Sequence, residues 1–337
     1  MATLLVPESY GSISAAVSAA SNGDTISIAN GVYTEQVHTG SLSNVIITSR
    51  GTDPSAVTIQ HNGASAGVTV ALDNGCTLVG CTVIYTGAGS YPLAGHAVAG
   101  AGSIYASAFV LYNCRLMSEW HGIGMFGTGS VIERCRITCT SVGSANIGIY
   151  SITGAPTIGS CIIENFRNHS IYARSSTIVN TLIVTNQTVG TSHRFSYGDK
   201  QYNNVARNQS AVTGHSGISA GGGGSSLCRN CTTWGLFASE VSGVTTITAQ
   251  IYNAAVVADG NDLFVLDGSD YHVNAAGLSY HSGDYAFQTA TGLLLDDLDA
   301  VPYDDPPSRG CYEHVAPVTG TRRGARPRVG MGLGIGY

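Results

Sequence analysis

The sequence predicts an all-β chain wound into a solenoid of parallel strands, on three observations. The first is composition. Of 337 residues, 44 are Gly and only 11% are charged, so Ser, Thr, Asn and Gly must cover much of the surface. With 43% hydrophobic residues and a formal charge of −6, the chain lacks the low-hydrophobicity, high-charge signature of disorder. The second is a recurring segment: Gly80-Cys81-Thr82-Val83, Asn113-Cys114-Arg115-Leu116, Arg134-Cys135-Arg136-Ile137, Ser160-Cys161-Ile162-Ile163, Asn180-Thr181-Leu182-Ile183, Asn230-Cys231-Thr232-Thr233 and Asn253-Ala254-Ala255-Val256. Its second position is always small and its fourth is apolar in six of the seven, so period-two alternation turns both inward on a strand. The third is spacing. The small position recurs after 33, 21, 26, 20, 50 and 23 residues, a mean near 25 when the 50 counts as two turns.

Each interval holds short β-branched runs punctuated by Gly, Ser or Asn, such as Val131-Ile132 and Ile147-Gly148-Ile149-Tyr150, and none carries a helical pattern of ten residues. Successive coils then pair in parallel at about 4.8 Å, like side chains stacking on like. About ten coils make a rod roughly 50 Å long. Cys81, Cys114, Cys135, Cys161 and Cys231 form its core ladder, small soft side chains that suit a narrow interior and whose burial predicts inert thiols. Asn113, Asn180, Asn230 and Asn253, one residue earlier, suit a turn in which Asn takes the left-handed backbone.

In chain order, residues 1–24 form an N-terminal cap, 25–258 the coils, 259–314 a C-terminal cap and 315–337 a tail rich in Arg and Gly. The opening Tyr10-Gly11-Ser12-Ile13-Ser14-Ala15-Ala16-Val17, followed by the run from Asn22-Gly23-Asp24-Thr25 to Tyr33-Thr34-Glu35, together with the small-residue ladder, resembles the pectin-lyase-like superfamily. The resemblance implies a single-stranded right-handed parallel β-helix with a short amphipathic capping helix. The segments Asp262-Leu263-Phe264-Val265, Asp270-Tyr271-His272-Val273 and Asp299 to Glu313 resemble the closing segment of the superfamily's non-catalytic repeat proteins, and the architecture and surface chemistry as a whole resemble those of phage β-helix structural proteins.

That superfamily's enzymes cleave acidic polysaccharides, through clustered Asp with calcium or through paired carboxylates. Here residues 74–198 contain no Asp, and their only acids, Glu119, Glu133 and Glu164, fall at different offsets from the ladder. The Asn-Thr-Asp, Gly-His-Gly and Arg-Ile-Lys motifs of polygalacturonase relatives are missing. The weak catalytic candidates are therefore Glu119, His121, Glu133 and Glu164. Within Glu119-Trp120-His121 an acid and a possible base flank an aromatic ring suited to sugar stacking, against the simpler reading of a turn whose Trp packs on the wall. No metal site and no cofactor are expected: the ten His show no ligand spacing, and the runs Asp259-Gly260-Asn261-Asp262 and Asp267-Gly268-Ser269-Asp270 suit turns better than a calcium loop.

Other features point to assembly. Residues 74–114 carry no charge across 41 positions, which suits close contact with another protein or a loop folded back on its own coil. Arg322, Arg323, Arg326 and Arg328 give the tail a docking role, with nucleic acid disfavoured by so few cations. No long apolar stretch spans a membrane. An N-terminus without a leader pattern and nine cysteines, an odd number, predict synthesis in a host cytoplasm with reduced thiols. These features yield the expectation of a non-enzymatic bacteriophage virion protein, a capsid decoration, head fibre or tail-associated β-helix, partnered by capsid or tail proteins or by its own copies. The alternatives are a spike that binds or degrades cell-surface polysaccharide and a bacterial surface adhesin, either of them extracellular or at a cell surface.

Overall fold

The computed structural model describes residues 1–63, 67–87, 95–100, 108–124, 127–141, 146–151, 154–185, 194–198, 200–202, 204–208, 216–219, 227–229, 231–234, 239–242, 246–248, 264–266 and 270–273. Among these the chain is a parallel β-helix. Three parallel sheets of eleven, nine and nine strands run its length, so nine coils each contribute one strand to every sheet. One coil reads Thr77–Val79, Thr82–Gly87 and His96–Gly100, and the next reads Val110–Tyr112, Arg115–Ser118 and His121–Gly124. These sheets are called first, second and third in that order.

The corner between the first and second sheets sets the repeat. It is two residues long in most coils, as at 80–81, 113–114, 134–135, 160–161 and 180–181. Its first residue takes positive φ: 66° at Gly80, 51° at Asn113, 55° at Arg134, 50° at Ser160 and 48° at Asn180. The expected left-handed Asn is present at Asn113 and Asn180. Arg134 and Ser160 adopt it too, so the demand comes from the coil geometry, at roughly 1–2 kcal/mol for an ordinary L-residue. Its second residue turns inward and is buried, and there Cys81, Cys114, Cys135, Cys161, Thr181 and Cys231 stand in line.

Inside the coils, like packs on like. The interior register of the second sheet runs Ile59, Val83, Leu116, Ile137, Ile163, Ile183, Ala206 and Thr233. That of the first runs Ile26, Ile47, Leu78, Leu111, Ile132, Ile158, Ile178, Gln201 and Cys228. The change to polar interior at Gln201 and Asn204 explains why the 50-residue interval hides a coil. Asn204 replaces the small corner residue and is satisfied by accepting from Thr181 N–H at 3.0 Å and donating to Ile178 C=O at 3.1 Å. Gln201 donates to the Gly198 and Ser219 carbonyls.

At the N-terminal end the helix Ile13–Ala19 closes the barrel of coils with Ile13, Ala16 and Val17 buried. Ser12 caps it by accepting from Ala15 N–H, and the Glu35 carboxylate accepts from Ile13 and Ser14 N–H, tying its first turn to the first coil. The Arg50 guanidinium forks onto Glu8 beside it and holds that carboxyl down to about 2. Toward the other end, Phe264–Leu266 and Asp270–Val273 pair antiparallel. The tail arginines Arg322, Arg323, Arg326 and Arg328 lie outside the described residues.

The charge-free stretch 74–114 has a structural explanation. Among its described residues, Cys76, Leu78, Cys81, Val83, Tyr85, Ala97, Val98, Phe109, Leu111 and Cys114 are buried within the coils, which accounts for the absence of charge at those positions; residues 88–94 and 101–107 lie outside the described residues.

Candidate functional site

The third sheet differs from the other two in its edges. The first-to-second corner is tight, whereas the connections bordering the third sheet include 88–95, 140–146 and 186–193 on one side and 101–109 and 125–130 on the other. Long connections on both edges make its outer face the natural place for a binding site.

Each of its strands turns two consecutive residues inward, which sorts the rest outward. Ile149, Ile171 and Ala173 belong to the main core, whereas Ile147 and Tyr150 form a separate cluster with Tyr172 packed against it. At the inward position Gly148 a Cβ would lie 2.4 Å from the Ser170 carbonyl oxygen and 2.9 Å from an Ile163 methyl, so only Gly fits. Outward, His96 pairs in register with Val68 and His121, and Ile147 pairs with His169. A parallel row carries Ala99, Gly124, Tyr150 and Tyr172.

Rings fill this face along the rod axis. His96 and His121 lie 5.0 Å apart at 30°, and Trp120 meets His121 edge-on at 5.4 Å. Further along, Tyr150 stacks on Tyr172 at 5.7 Å and His169 stacks on Tyr172 at 5.1 Å. The Arg174 guanidinium contacts the Tyr172 hydroxyl at 3.4 Å. His169 and Tyr172 are half-buried, whereas His96 is 0% and His121 1% exposed. The strand beyond places Arg194 and Tyr197 at the registers of His169 and Tyr172.

Electrostatics keep the two buried imidazoles neutral. Burial pushes His96 down to about 3, helped by its His121 neighbour, and burial pushes His121 down to about 4. Ile147 N–H donates to His121 Nδ1 at 3.0 Å, in place of a sheet carbonyl, so the proton of the neutral ring sits on Nε2. His121 is then a neutral imidazole whose acceptor nitrogen is already engaged, not a base.

The acids expected as catalytic candidates do not converge. Glu119 sits with Trp120 in the bend between Arg115–Ser118 and His121–Gly124, at the edge of the third sheet, and accepts from Gly87 N–H at 2.8 Å. Glu133 ends a strand of the first sheet beside Arg134, at 3.7 Å. Glu164 lies on the second sheet, held by Arg136 at 2.8 Å and by the Thr138 hydroxyl at 3.0 Å. Three faces of the rod carry one carboxylate each. Trp120 packs against the main core, as the wall-turn reading expects, yet it also edges the imidazole pair. Among the described residues no three His, Cys, Asp or Glu gather as a metal-ligand set, and no helix is long and apolar enough to cross a membrane.

His96, Tyr150, His169 and Tyr172 were not singled out by the sequence. The signal was hidden because the connection leading into the third sheet differs between coils, so a register counted from the cysteine position does not carry over.

The fold is a parallel β-helix of three sheets. Solved structures with the same architecture include a pectate lyase at 10% identity and TM-score 0.49, covering 94% of this chain and 97% of that one. A pectin methylesterase from Aspergillus niger shares 15% identity at TM-score 0.45, covering 74% and 83%. An alginate lyase from Paenibacillus sp. shares 11% at 0.42, covering 74% and 99%. No family model and no curated protein matches the sequence. The expectation of a non-enzymatic virion structural protein is corrected here: the solved structures to which the chain is similar are polysaccharide lyases and esterases.

Proposed function

We propose that the protein binds and processes a polysaccharide along the outer face of the third sheet. The observation that carries this is the set of half-buried rings Trp120, His169 and Tyr172, backed by the buried His96, His121 and Tyr150, on the one sheet bordered by long connections at both edges. Stacked strands space such rings at multiples of about 4.8 Å, a pitch that lets an extended sugar chain lie along the axis with ring faces against aromatic faces. The lyases and esterases that share this architecture give the reading its context, and their geometry is not carried over residue by residue.

If chemistry occurs on this face, Glu119 is the described carboxylate placed for it, since Glu133 and Glu164 point from other sheets. There Glu119 would exchange the proton. The test has two arms. Affinity electrophoresis through gels containing pectate, alginate, xylan or galactan reads binding, and reducing ends, unsaturated products and methanol release read processing. Retardation in one of these gels is the expected result, with product formation falling at least about a hundredfold in Glu119→Gln. Unretarded migration in all of them overturns the reading.

A further inference from the structure

We propose that His121 is a titratable rung of the third sheet: its protonation, together with that of His96 beside it, parts the strand His121–Gly124 from Ile147–Ser151 in acid while the second sheet holds. The inference concerns the regulation of this face and stands whether or not a polysaccharide binds there.

The first ground is the ladder itself. Where a coil enters the third sheet, a backbone carbonyl of the preceding coil accepts from the first residue of the strand. Gly67 C=O accepts from His96 N–H at 3.2 Å, Gly95 C=O from His121 N–H at 2.9 Å and Asn146 C=O from His169 N–H at 3.4 Å. At Ile147 the series is broken, because its N–H donates to the His121 ring, at Nδ1 and 3.0 Å. Regular pairing of these two strands starts only at Ile123 with Ile149. A carbonyl accepts at every pH, whereas an imidazolium carries protons on both nitrogens and accepts nothing. Protonation of His121 therefore deletes this rung and leaves the N–H of the buried Ile147 facing a cation.

The second ground is that a charge here finds no answer. The two imidazoles are closed to water and 5.0 Å apart, and neither nitrogen of His96 has a hydrogen-bond partner among the described residues. Burial holds both rings below the ordinary imidazole value, His96 at about 3 and His121 at about 4. The strands packed around the pair bring two carboxylates. Glu119, in the preceding bend, accepts from Gly87 N–H, and Asp73 lies beyond the far end of Val68–Leu72, because Val68 is the residue in register with His96. Tyr85 and Cys139, whose hydroxyl and thiol burial pushes up, bring no charge, and Tyr150 is in register with Gly124, past the two rings. Arg115 and Arg136 are exposed cations of the second sheet. Two imidazolium ions side by side would repel each other in a site of low dielectric, and separation of the strands relieves both.

The third ground is that the second sheet of the same coils lacks such a group. Its interior column is aliphatic, from Val83 through Leu116 and Ile137 to Ile163. At the corner before it, burial pushes the Cys114 and Cys135 thiols up, so acid adds no charge there. The corner is two residues long, whereas the connections 125–130 and 140–146 leave slack on either side of the third sheet. Its strands can part without unwinding the corner.

Native-state hydrogen exchange of the full chain, followed from about pH 7 to about pH 4.5 and corrected for intrinsic rates, tells the sheets apart. An imidazole that is neutral when the sheet is closed and charged when it is open multiplies opening by up to about a hundredfold over that range. The strands His96–Gly100, His121–Gly124 and Ile147–Ser151 are expected to lose protection at least about tenfold more than Arg115–Ser118, Arg136–Cys139 and Ile162–Glu164. His121→Asn puts an amide oxygen, which does not titrate, where Nδ1 accepts. It should keep the protection of Ile147–Ser151 at neutral pH and abolish most of its loss in acid. Equal loss in all the strands, or an acid response unchanged in His121→Asn, overturns the switch. Imidazole nitrogen shifts of the labelled wild-type chain give a readout that needs no variant. His121 is expected to titrate below about pH 5 with the Ile147 amide shift moving in step, and a midpoint above about pH 6, or an Ile147 amide that stays put, overturns the rung.

Discussion

The corner between the first two sheets and the outer face of the third sheet are both columns of buried polar side chains, and they are built oppositely. At the corner, each coil repeats one solution. The thiols of Cys81, Cys114, Cys135 and Cys161 donate to the carbonyls of Val79, Tyr112, Glu133 and Gly159 at 3.2–3.4 Å, and the Thr181 hydroxyl does the same to Val179 at 3.0 Å. Burial pushes the Cys81, Cys114 and Cys135 thiols up, so they stay protonated and keep donating. On the third sheet, successive coils present His96, His121, Ile147 and His169, three imidazoles interrupted by an apolar side chain, and the nitrogens of His96 go without partners among the described residues. Repetition with every bond satisfied is what a scaffold needs. Variation with bonds left open is what a binding face needs.

The largest effect that tests this contrast lies in the column behind the corner. Ile137→Ala opens a cavity between Leu116 and Ile163 and should cost about 2–5 kcal/mol in urea unfolding; a loss well under 1 kcal/mol would show that the coils do not share one close-packed interior. Next comes pH. The folded pKa of His96 lies below that of the unfolded chain, so the unfolded state takes up protons first and stability drains as pH falls from 6.5 toward the folded value near 3. Between pH 6.5 and 5 this amounts to about 2 kcal/mol. His96→Leu should flatten that slope, and an unchanged slope would place the acid sensitivity elsewhere.

Gly124→Ala brings a methyl into the His96 ring and should destabilise by about 1–3 kcal/mol. In the double variant with His96→Ala most of that penalty should vanish, and additive losses would separate the two residues. The smallest effect returns to the corner. Cys135→Thr places there the group that Thr181 already uses, so it should change stability by less than about 1 kcal/mol. A large loss, seen by thermal unfolding, would mean that the thiol contributes more than a small donor.

Much of the scaffold was legible before any coordinates. The Cys column, the apolar position two residues on and the Asn before it all follow from chemistry repeated at a fixed place in the coil. The coil at 204–206 escaped because Asn204 and Ala206 break that chemistry while keeping the geometry. Of the site, Trp120, His121 and Glu119 could be marked as a local triplet of acid, aromatic and base types. What the triplet does could not be read, since the tautomer of His121 is fixed by Ile147, 26 residues away.

By itself the sequence determined that this chain forms coils, where most coils turn between the first two sheets and which side chains line the interior there, because a periodic chain folded on itself stacks equal positions and the hydrophobic effect selects them. Only the tertiary structure decided that His96 lies over Gly124 and against His121, and that the three glutamates face apart. Connections of unequal length enter the third sheet, so residues adjacent in space there have no fixed separation along the chain.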